Sequence, residues 1–526
     1  MKGFFSLVLH THMPYVRKNG AFPVGEDWLY QAMSDTYLPL IEMLRRLESE
    51  GATPGVGLTV TPILSEQLAD PYIKDSFVAY LKTMAERSEQ DIEEFVYFKD
   101  DARKRLAEEY RESFRRKLAV FAAIDRDIPA ALSELEQDGI IETIGSSATH
   151  AFLPALEDER SVRLQVVTGL ESHRMRFGSN PAGFWLPECA YRRGVEELLE
   201  SEGVRYVLLD PTALRGRPST CPYLVGNTGL VGLARSETAH RDVWDDKTGY
   251  PTGGAYLDST KYYQNSGLLY WRVTGTGVPI ESKEVYDPGR ARKLALDHAR
   301  HFIARIEREL EGAGPCAGPA GSPVSSPRAL PLVLASYDTE LFGHGWREGF
   351  YWMEVLLRSL AVLDAFGTTT PSGYLSENRP AVAVELAETT WGTGHDSSTW
   401  VNPDTRWMWV EIGEAQRTLF ELVERYGSAR PEWAGNALKQ AAREVLLLES
   451  SDWPYMVAKD RASNYATQRF NTHFERFRWL AGALERGDEE EAVRLVAGVE
   501  EVDNIFSKLD LGIVSEENAP RRTEGR

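Results

Sequence analysis

Two acids stand at the ends of apolar runs, Glu188 in GFWLPECAY (Gly183 to Tyr191) and Asp338 in LPLVLASYDTE (Leu330 to Glu340). Paired carboxylates of this kind suit glycosyl transfer, which needs one ionised nucleophile and one proton donor on either side of a sugar. Burial among Phe184, Trp185, Leu186 and Tyr191 would raise the pKa of Glu188 unless donors or a cation hold it ionised, and Arg272 is a candidate cation. The plainer alternative for an acid after a strand is a helix cap or a salt bridge. In a continuing strand Asp338 and Glu340 would face opposite ways, so only one can enter a site. Asp338 comes first after the apolar run, which leaves Glu340 as a surface carboxylate or one that supports the site from behind.

HTH, His10 to His12, puts two imidazoles on one side of a strand end, an arrangement that metal-dependent amidohydrolases and deacetylases use. His150, Asp210 or Asp338 could complete such a ligand set. Equally, these histidines could bond sugar hydroxyls or sit satisfied at a rim. Trp271 in LLYWRVTG and Trp400, Trp407 and Trp409 in TWVNPDTRWMW lie in polar settings, where indoles can stack on the C–H faces of a glucan.

These residues need a scaffold that gathers strand ends. Six apolar runs, FFSLVL, VGLTVTP, IIETIGSSATH, AGFWLPE, VRYVLLD and LPLVLASYDTE, alternate with helical patterns. Strand and helix in alternation argue for a parallel α/β architecture. No Gly-rich phosphate loop follows the first strand, which favours a barrel over an open dinucleotide-binding sheet. In barrels the chemistry lies at the C-terminal strand ends, where His10, His12, His150, Glu188, Asp210 and Asp338 all fall. The expected organisation is a catalytic barrel over 1–70 and 139–371, a charged helical insertion at 71–138 and a helical C-terminal domain at 372–526. Segment 311–330, rich in Gly, Pro and Ser, is expected to form a flexible surface loop, and the tail 517–526 to fray.

A chain of 526 residues exceeds one ordinary domain and implies two or three packed units. Its formal charge of −20, with no block of Lys or Arg, argues against a nucleic-acid or membrane partner. The apolar run before His10 is too short for a signal peptide, and no segment reaches the roughly 20 apolar residues of a membrane span. A cytoplasmic location is expected. Cys189, Cys221 and Cys316 lack zinc-like spacing, so neither a disulfide framework nor a cysteine metal site is expected.

Five ordered motifs carry a resemblance: HTHMPY (His10 to Tyr15), GSSATHAFLP (Gly145 to Pro154), WLPECAY (Trp185 to Tyr191), YDTELFGH (Tyr337 to His344) and SSDWPYM (Ser450 to Met456). Together they resemble glycoside hydrolase family 57, and within it the α-1,4-glucan branching enzymes. EDWLYQAMSDTYLPLI after the first motif, Val243 and Trp244 followed by Gly249 to Pro251, and the helical C-terminal part point to that subgroup. The resemblance implies an incomplete (β/α)7 barrel without metal or cofactor. It also implies a retaining double displacement on an α-1,4-glucan such as glycogen or amylose, with a chain re-attached through an α-1,6 bond. Glu188 would be the nucleophile and Asp338 the acid/base, which calls for carboxyls roughly 5–5.5 Å apart.

By the same resemblance His10, His12 and His150 line the donor site and Trp28 and Trp271, beside Arg272, border it. Trp400 and Trp409 wall the acceptor side, and Asp452 and Trp453 belong to the motif that the helical domain contributes to the cleft. Two departures stand out: Gly345 replaces the usual Trp after the fourth-motif histidine, and ARSETAHRDVW (Ala234 to Trp244) lacks a loop tyrosine found in some branching enzymes. An α-amylase or 4-α-glucanotransferase of the same family, the metal-dependent deacetylase or amidohydrolase, and a non-catalytic glucan-binding protein are the alternatives.

Overall fold

The computed structural model describes residues 2–275, 277–314, 316 and 329–514. Ten strands form one sheet: β1 (Phe4–Thr11), β2 (Val56–Val60), β3 (Ile141–Ser146), β4 (Gly183–Trp185), β5 (Tyr206–Leu209), β6 (Tyr223–Val225), β7 (Val231–Ala234), β8 (Leu332–Asp338), β9 (Gly367–Thr368) and β10 (Ala383–Val384). Seven run parallel in the order β8-β1-β2-β3-β4-β5-β7, β9 pairs parallel with β1 off this path, and β6 lies antiparallel on β7 and carries β10 at its outer edge. Strands covered on both faces should be nearly continuous apolar runs, and β1, β5 and β8 are buried along almost their whole length. Gly183 is required where β4 meets β5, because a Cβ there would stand 2.1 Å from the Tyr206 ring.

The barrel is incomplete. Among the described residues no ladder joins β7 to β8. The seam is spanned by Ser236 N–H donating to the Leu334 carbonyl at 2.7 Å and by Leu332 N–H donating to Thr220 at 2.9 Å. The six apolar runs of the sequence all form strands, whereas β6 and β7 are only three and four residues long and carry no comparable signal.

The same seam corrects the expectation about cysteines. Cys221, just before β6, is disulfide-bonded to Cys316 with Cα atoms 5.4 Å apart across a separation of 95 residues. Only the folded arrangement of the two seam edges brings them together. Cys189 is free and buried.

Between β2 and β3 the helices Pro71–Tyr97 and Asp101–Ala123 pack side by side. Each starts at an aspartate cap: Asp70 accepts from Tyr72 and Ile73 N–H, and Asp100 from Arg103 N–H. Phe77, Leu81 and Met84 of the first and Tyr110, Phe114 and Phe121 of the second bury an apolar stripe. The pair is tied to the connection between β7 and β8 by Tyr110 Oη donating to the Leu269 carbonyl at 2.8 Å.

Helices Arg406–Tyr426, Glu432–Leu448, Ser463–Arg486 and Glu489–Glu500 make the C-terminal bundle. The bundle reaches the C-terminal strand ends through Gln165 Nε2 donating to Glu449 at 2.8 Å and Ser451 N–H donating to the His150 carbonyl at 3.1 Å. Among the described residues no helix is long and apolar enough to cross a membrane. Residues 317–328, most of the Gly-, Pro- and Ser-rich segment, and the tail 517–526 lie outside the described residues.

Candidate active site

A cavity of about 890 Å³ opens where the parallel strands end, and His10, His12, His150, Glu188 and Asp338 all line it. Opposite them the C-terminal part contributes Trp400, Asp452 and Tyr455.

Glu188 follows β4 in a tight turn over Pro187–Cys189. Its φ of 62° and that of Cys189, 48°, lie in the left-handed region, which costs an L-residue roughly 1–2 kcal/mol each. Cys189 N–H to Leu186 at 2.8 Å and Trp391 N–H to the Glu188 carbonyl at 3.0 Å hold the turn in place. The turned-up carboxylate then accepts from Trp391 Nε1 at 2.8 Å on one oxygen and from Ser451 Oγ at 2.9 Å on the other. Its pKa stands above the ordinary carboxylate value: burial raises it most and Asp452 adds to the rise, against the two donors and His12, which lower it. Arg272 plays no part in this balance, which corrects the expected cation: its guanidinium pairs with Glu284 at 2.6 Å and donates to the Gly254 carbonyl.

The three histidines shift in opposite directions. Burial opposes a charge on His12, but Asp452, 3.1 Å from Nε2, together with Glu188 and Glu340 carries its pKa above the ordinary value. Its other nitrogen, Nδ1, meets Thr61 Oγ1 at 3.0 Å, and Ser450 Oγ donates to Asp452 at 2.6 Å. His10 and His150 are held well below the ordinary value by burial and then by the charge of His12. Their tautomers follow from Ser451, whose single proton goes to Glu188. Ser451 Oγ must therefore accept from His150 Nδ1–H at 3.0 Å, which leaves His150 Nε2 to accept from His10 Nε2–H at 3.1 Å. His10 also stacks on Trp185 with centroids 4.3 Å apart.

Asp338 is the last residue of β8 and accepts no hydrogen bond at its carboxyl from the described residues. Its pKa is pushed up to about 8, by burial first and then by Glu340 and Glu188, with His12 and Arg235 opposing. The strand does not continue to Glu340, since Thr339–Leu341 turn as a 3₁₀ helix. Glu340 is consequently no outlying surface acid. It lines the cavity, accepts from Tyr37 Oη at 2.6 Å and His12 N–H at 3.3 Å, and is pushed up to about 7 by burial against those donors.

The aromatic candidates separate. Trp400 lines the cavity, stacked on Phe152 at 4.7 Å, and Trp409 Nε1 donates to the Trp400 carbonyl at 2.9 Å behind it. Trp28 packs edge-on against Tyr465, Trp271 lies under Lys261, and Trp453 is fully buried with Nε1 donating to Leu447, so these three do not line the cavity. Trp407 packs on Phe470. Asp210 stands behind the wall, paired with Arg235 at 2.6 Å. Sequence reasoning passed over Ser451 and Trp391, the two donors to Glu188, as well as His240 and Trp244 at the cavity wall. Ser451 was within reach, as the neighbour of Asp452 in SSDWPYM, and Trp391 as an indole in the polar stretch TTWGTGHDSSTW.

The histidine nitrogens and carboxylates here are bonded to one another rather than converging on a vacant point. The one group among the described residues whose ligand atoms converge is Glu444, His473 and Asp503, in the buried C-terminal bundle. There Arg476 pairs with Asp503 and Arg469 reaches His473 Nε2 at 2.7 Å, so guanidinium cations already supply the positive charge.

The glycosyl hydrolase family 57 sequence model matches residues 6–266, and the C-terminal region of 1,4-α-glucan branching enzymes matches residues 411–513. The 1,4-α-glucan branching enzyme TK1436 of Thermococcus kodakarensis is 35% identical over 560 residues, spanning 100% of this chain and 80% of that protein. Its crystal structure superposes with a TM-score of 0.91 at 34% identity, covering 99% of this chain and 98% of the other. A probable 1,4-α-glucan branching enzyme of Mycobacterium tuberculosis is 32% identical over 533 residues, 97% of each chain. The α-amylase AmyC of Thermotoga maritima shares the fold, with a TM-score of 0.84 at 24% identity over 97% of this chain and 98% of that one. The chain belongs to glycosyl hydrolase family 57 and carries the C-terminal region described for its 1,4-α-glucan branching enzymes.

Proposed function

We infer that the chain is a 1,4-α-glucan branching enzyme that works by retaining double displacement, with Glu188 as nucleophile and Asp338 as acid/base. The observation that carries the assignment is the contrast between the two acids. Glu188 is fixed by two donors that oppose the rise burial gives its pKa, whereas Asp338 has no donor and stands near two other acids, which push its pKa further up, to about 8.

In the first step a Glu188 oxygen attacks C1 of a glucosyl unit and the C1–O4 bond breaks. The electron pair leaves with O4, which takes the proton of Asp338, and the reducing-end portion departs. Asp338, now ionised, removes the proton from the 6-hydroxyl of an acceptor glucan. That oxygen attacks C1, the bond to Glu188 breaks, and an α-1,6 branch forms with retention after two inversions. Neutral His10 and His150 orient Ser451, and through it Glu188, by the bonds they make to one another and to its hydroxyl. Trp244 supplies an exposed apolar face at the cavity wall that favours a sugar over water as acceptor, with buried Trp400 packed behind the wall. Glycogen and amylose-like chains both present the α-1,4 backbone this chemistry requires.

Proton NMR of purified protein on amylose tests the reading, with α-1,4 and α-1,6 anomeric signals followed alongside reducing ends. Branching gives α-1,6 signal with few new reducing ends. Reducing ends without α-1,6 signal would identify a hydrolase, and redistributed α-1,4 chains without branches a 4-α-glucanotransferase.

A further inference from the structure

A second cavity, of about 390 Å³, lies on the far side of the turn that follows Asp338, between the Pro71–Tyr97 and Asp101–Ala123 helices and residues 257–269. The two cavities are separated by the chain from Glu340 to Gly345: Glu340 and Leu341 face the first, and Gly343 to Gly345 face the second. Gly343 is mandatory there, with a φ of +89° and a Cβ position 1.8 Å from the Asp35 carbonyl. The wall against the reaction site is therefore close-packed backbone.

The charges in this cavity do not balance. Asp35 is already shared, by Lys117 Nζ at 3.0 Å and by His344 Nδ1 at 4.0 Å. Arg347 is different. Its guanidinium lies 4.4 Å over the Tyr110 ring, and among the described residues no carboxylate or carbonyl accepts from it. Glu348, the next residue, turns Oε1 to Leu257 N–H at 3.3 Å instead. An arginine in such a setting brings a permanent charge and several donors in a planar fork, the geometry that matches carboxylate and phosphate. Its N–H donors therefore remain open to a ligand in the cavity.

The rest of the lining is suited to a hydroxylated ring. Tyr80 and Tyr262 present aromatic faces, and the hydroxyls of Tyr80 and Ser259 have no partner among the described residues. The volume lies within the range of small-molecule pockets.

We propose that this cavity binds a monosaccharide carrying one anionic group, a phosphate or a carboxylate, with Arg347 pairing the anion and the tyrosine faces covering the ring. The site is separate from the cleft that holds Glu188 and Asp338, and the inference does not depend on the reaction assigned to them.

Isothermal titration of the full-length protein tests it with glucose 6-phosphate, glucuronate, inorganic phosphate and maltose. The expected result is binding of at least one of the two anionic sugars, weakened by about tenfold or more in Arg347→Gln. Ser259→Trp, a loop substitution that fills the cavity without touching Arg347, should weaken the same ligand, with both thermal midpoints recorded to show folded protein. Three results would overturn the proposal: neither anionic sugar binds, inorganic phosphate binds as tightly as either, or the same affinity persists in both folded variants, which would place the ligand in the main cleft.

Discussion

Ser451 and Glu188 are 263 residues apart in sequence, yet the Ser451 hydroxyl donates to the Glu188 carboxylate at 2.9 Å. The same hydroxyl receives His150 Nδ1–H at 3.0 Å, so one side chain of the C-terminal part both orients the acid and fixes the tautomer of its neighbour. The strand end supplies the carboxylate, and the helical part supplies what holds it.

Ser451→Ala should therefore damage turnover more than binding. A hydrogen bond to a charged group is worth roughly 1.5–3 kcal/mol, so kcat should fall about 10- to 100-fold with a smaller change in KM. Trp391→Phe, which keeps a ring but removes the other donor, should act in the same direction. Steady-state kinetics on amylose checks both. Unchanged kcat in the two variants would mean that these donors do not matter to the nucleophile.

Asp338 gives the activity a basic limb. Protonated Asp338 is needed for the first step, and its pKa is pushed up to about 8, so kcat/KM should fall as pH rises through that region. The sign for stability is the reverse of an ordinary salt-bridged acid. A carboxyl whose folded pKa exceeds its unfolded value favours folding below about pH 4, and that contribution disappears as pH rises through about 8. Asp338→Asn should consequently be inactive towards amylose but more heat-stable at neutral pH, by up to roughly 4 kcal/mol, a stability gained at the expense of function. Paired pH–rate and thermal-melting measurements decide it, and a less stable Asp338→Asn protein would contradict the assignment.

His12 and Asp452 make a third test. Titration by NMR should place the His12 midpoint above the usual value of about 6.5 in the wild type, because Asp452 and its neighbours outweigh burial. In Asp452→Asn, burial loses its main opponent and the midpoint should drop. An unmoved midpoint would show that some other group charges the ring.

What could be read in advance follows a physical boundary. Glu188 and Asp338 were visible because each follows an apolar strand, and the strand order itself delivers such residues to one rim. Trp391 was legible only as an indole in a polar stretch, since its partner lies 203 residues away and nothing local in TTWGTG shows that it is aimed at a carboxylate. Glu340 was misplaced by assuming that strand alternation continues, when β8 ends at Asp338 and a 3₁₀ turn brings the next acid to the same side. Arg272 was misplaced by nearness in type rather than in space. β7 was too short to announce itself, and the Cys221–Cys316 bond depends on a barrel seam that exists only once the sheet has formed.

That bond should matter to the seam. Closing a loop across a separation of 95 residues is worth roughly 2–5 kcal/mol, so Cys221→Ser or reduction should lower the thermal midpoint. An unchanged midpoint would mean that the Ser236 and Leu332 hydrogen bonds suffice to hold β8 against its neighbours.

The most direct test of the central claim is to trap the glycosyl-enzyme. Asp338→Asn with α-maltosyl fluoride needs no acid for the first step, because fluoride leaves unaided, but lacks the base for the second. Mass spectrometry after rapid digestion should find a maltosyl adduct on the peptide that contains Glu188. An adduct on another residue would move the nucleophile, and no adduct while fluoride is still released would contradict a covalent double displacement.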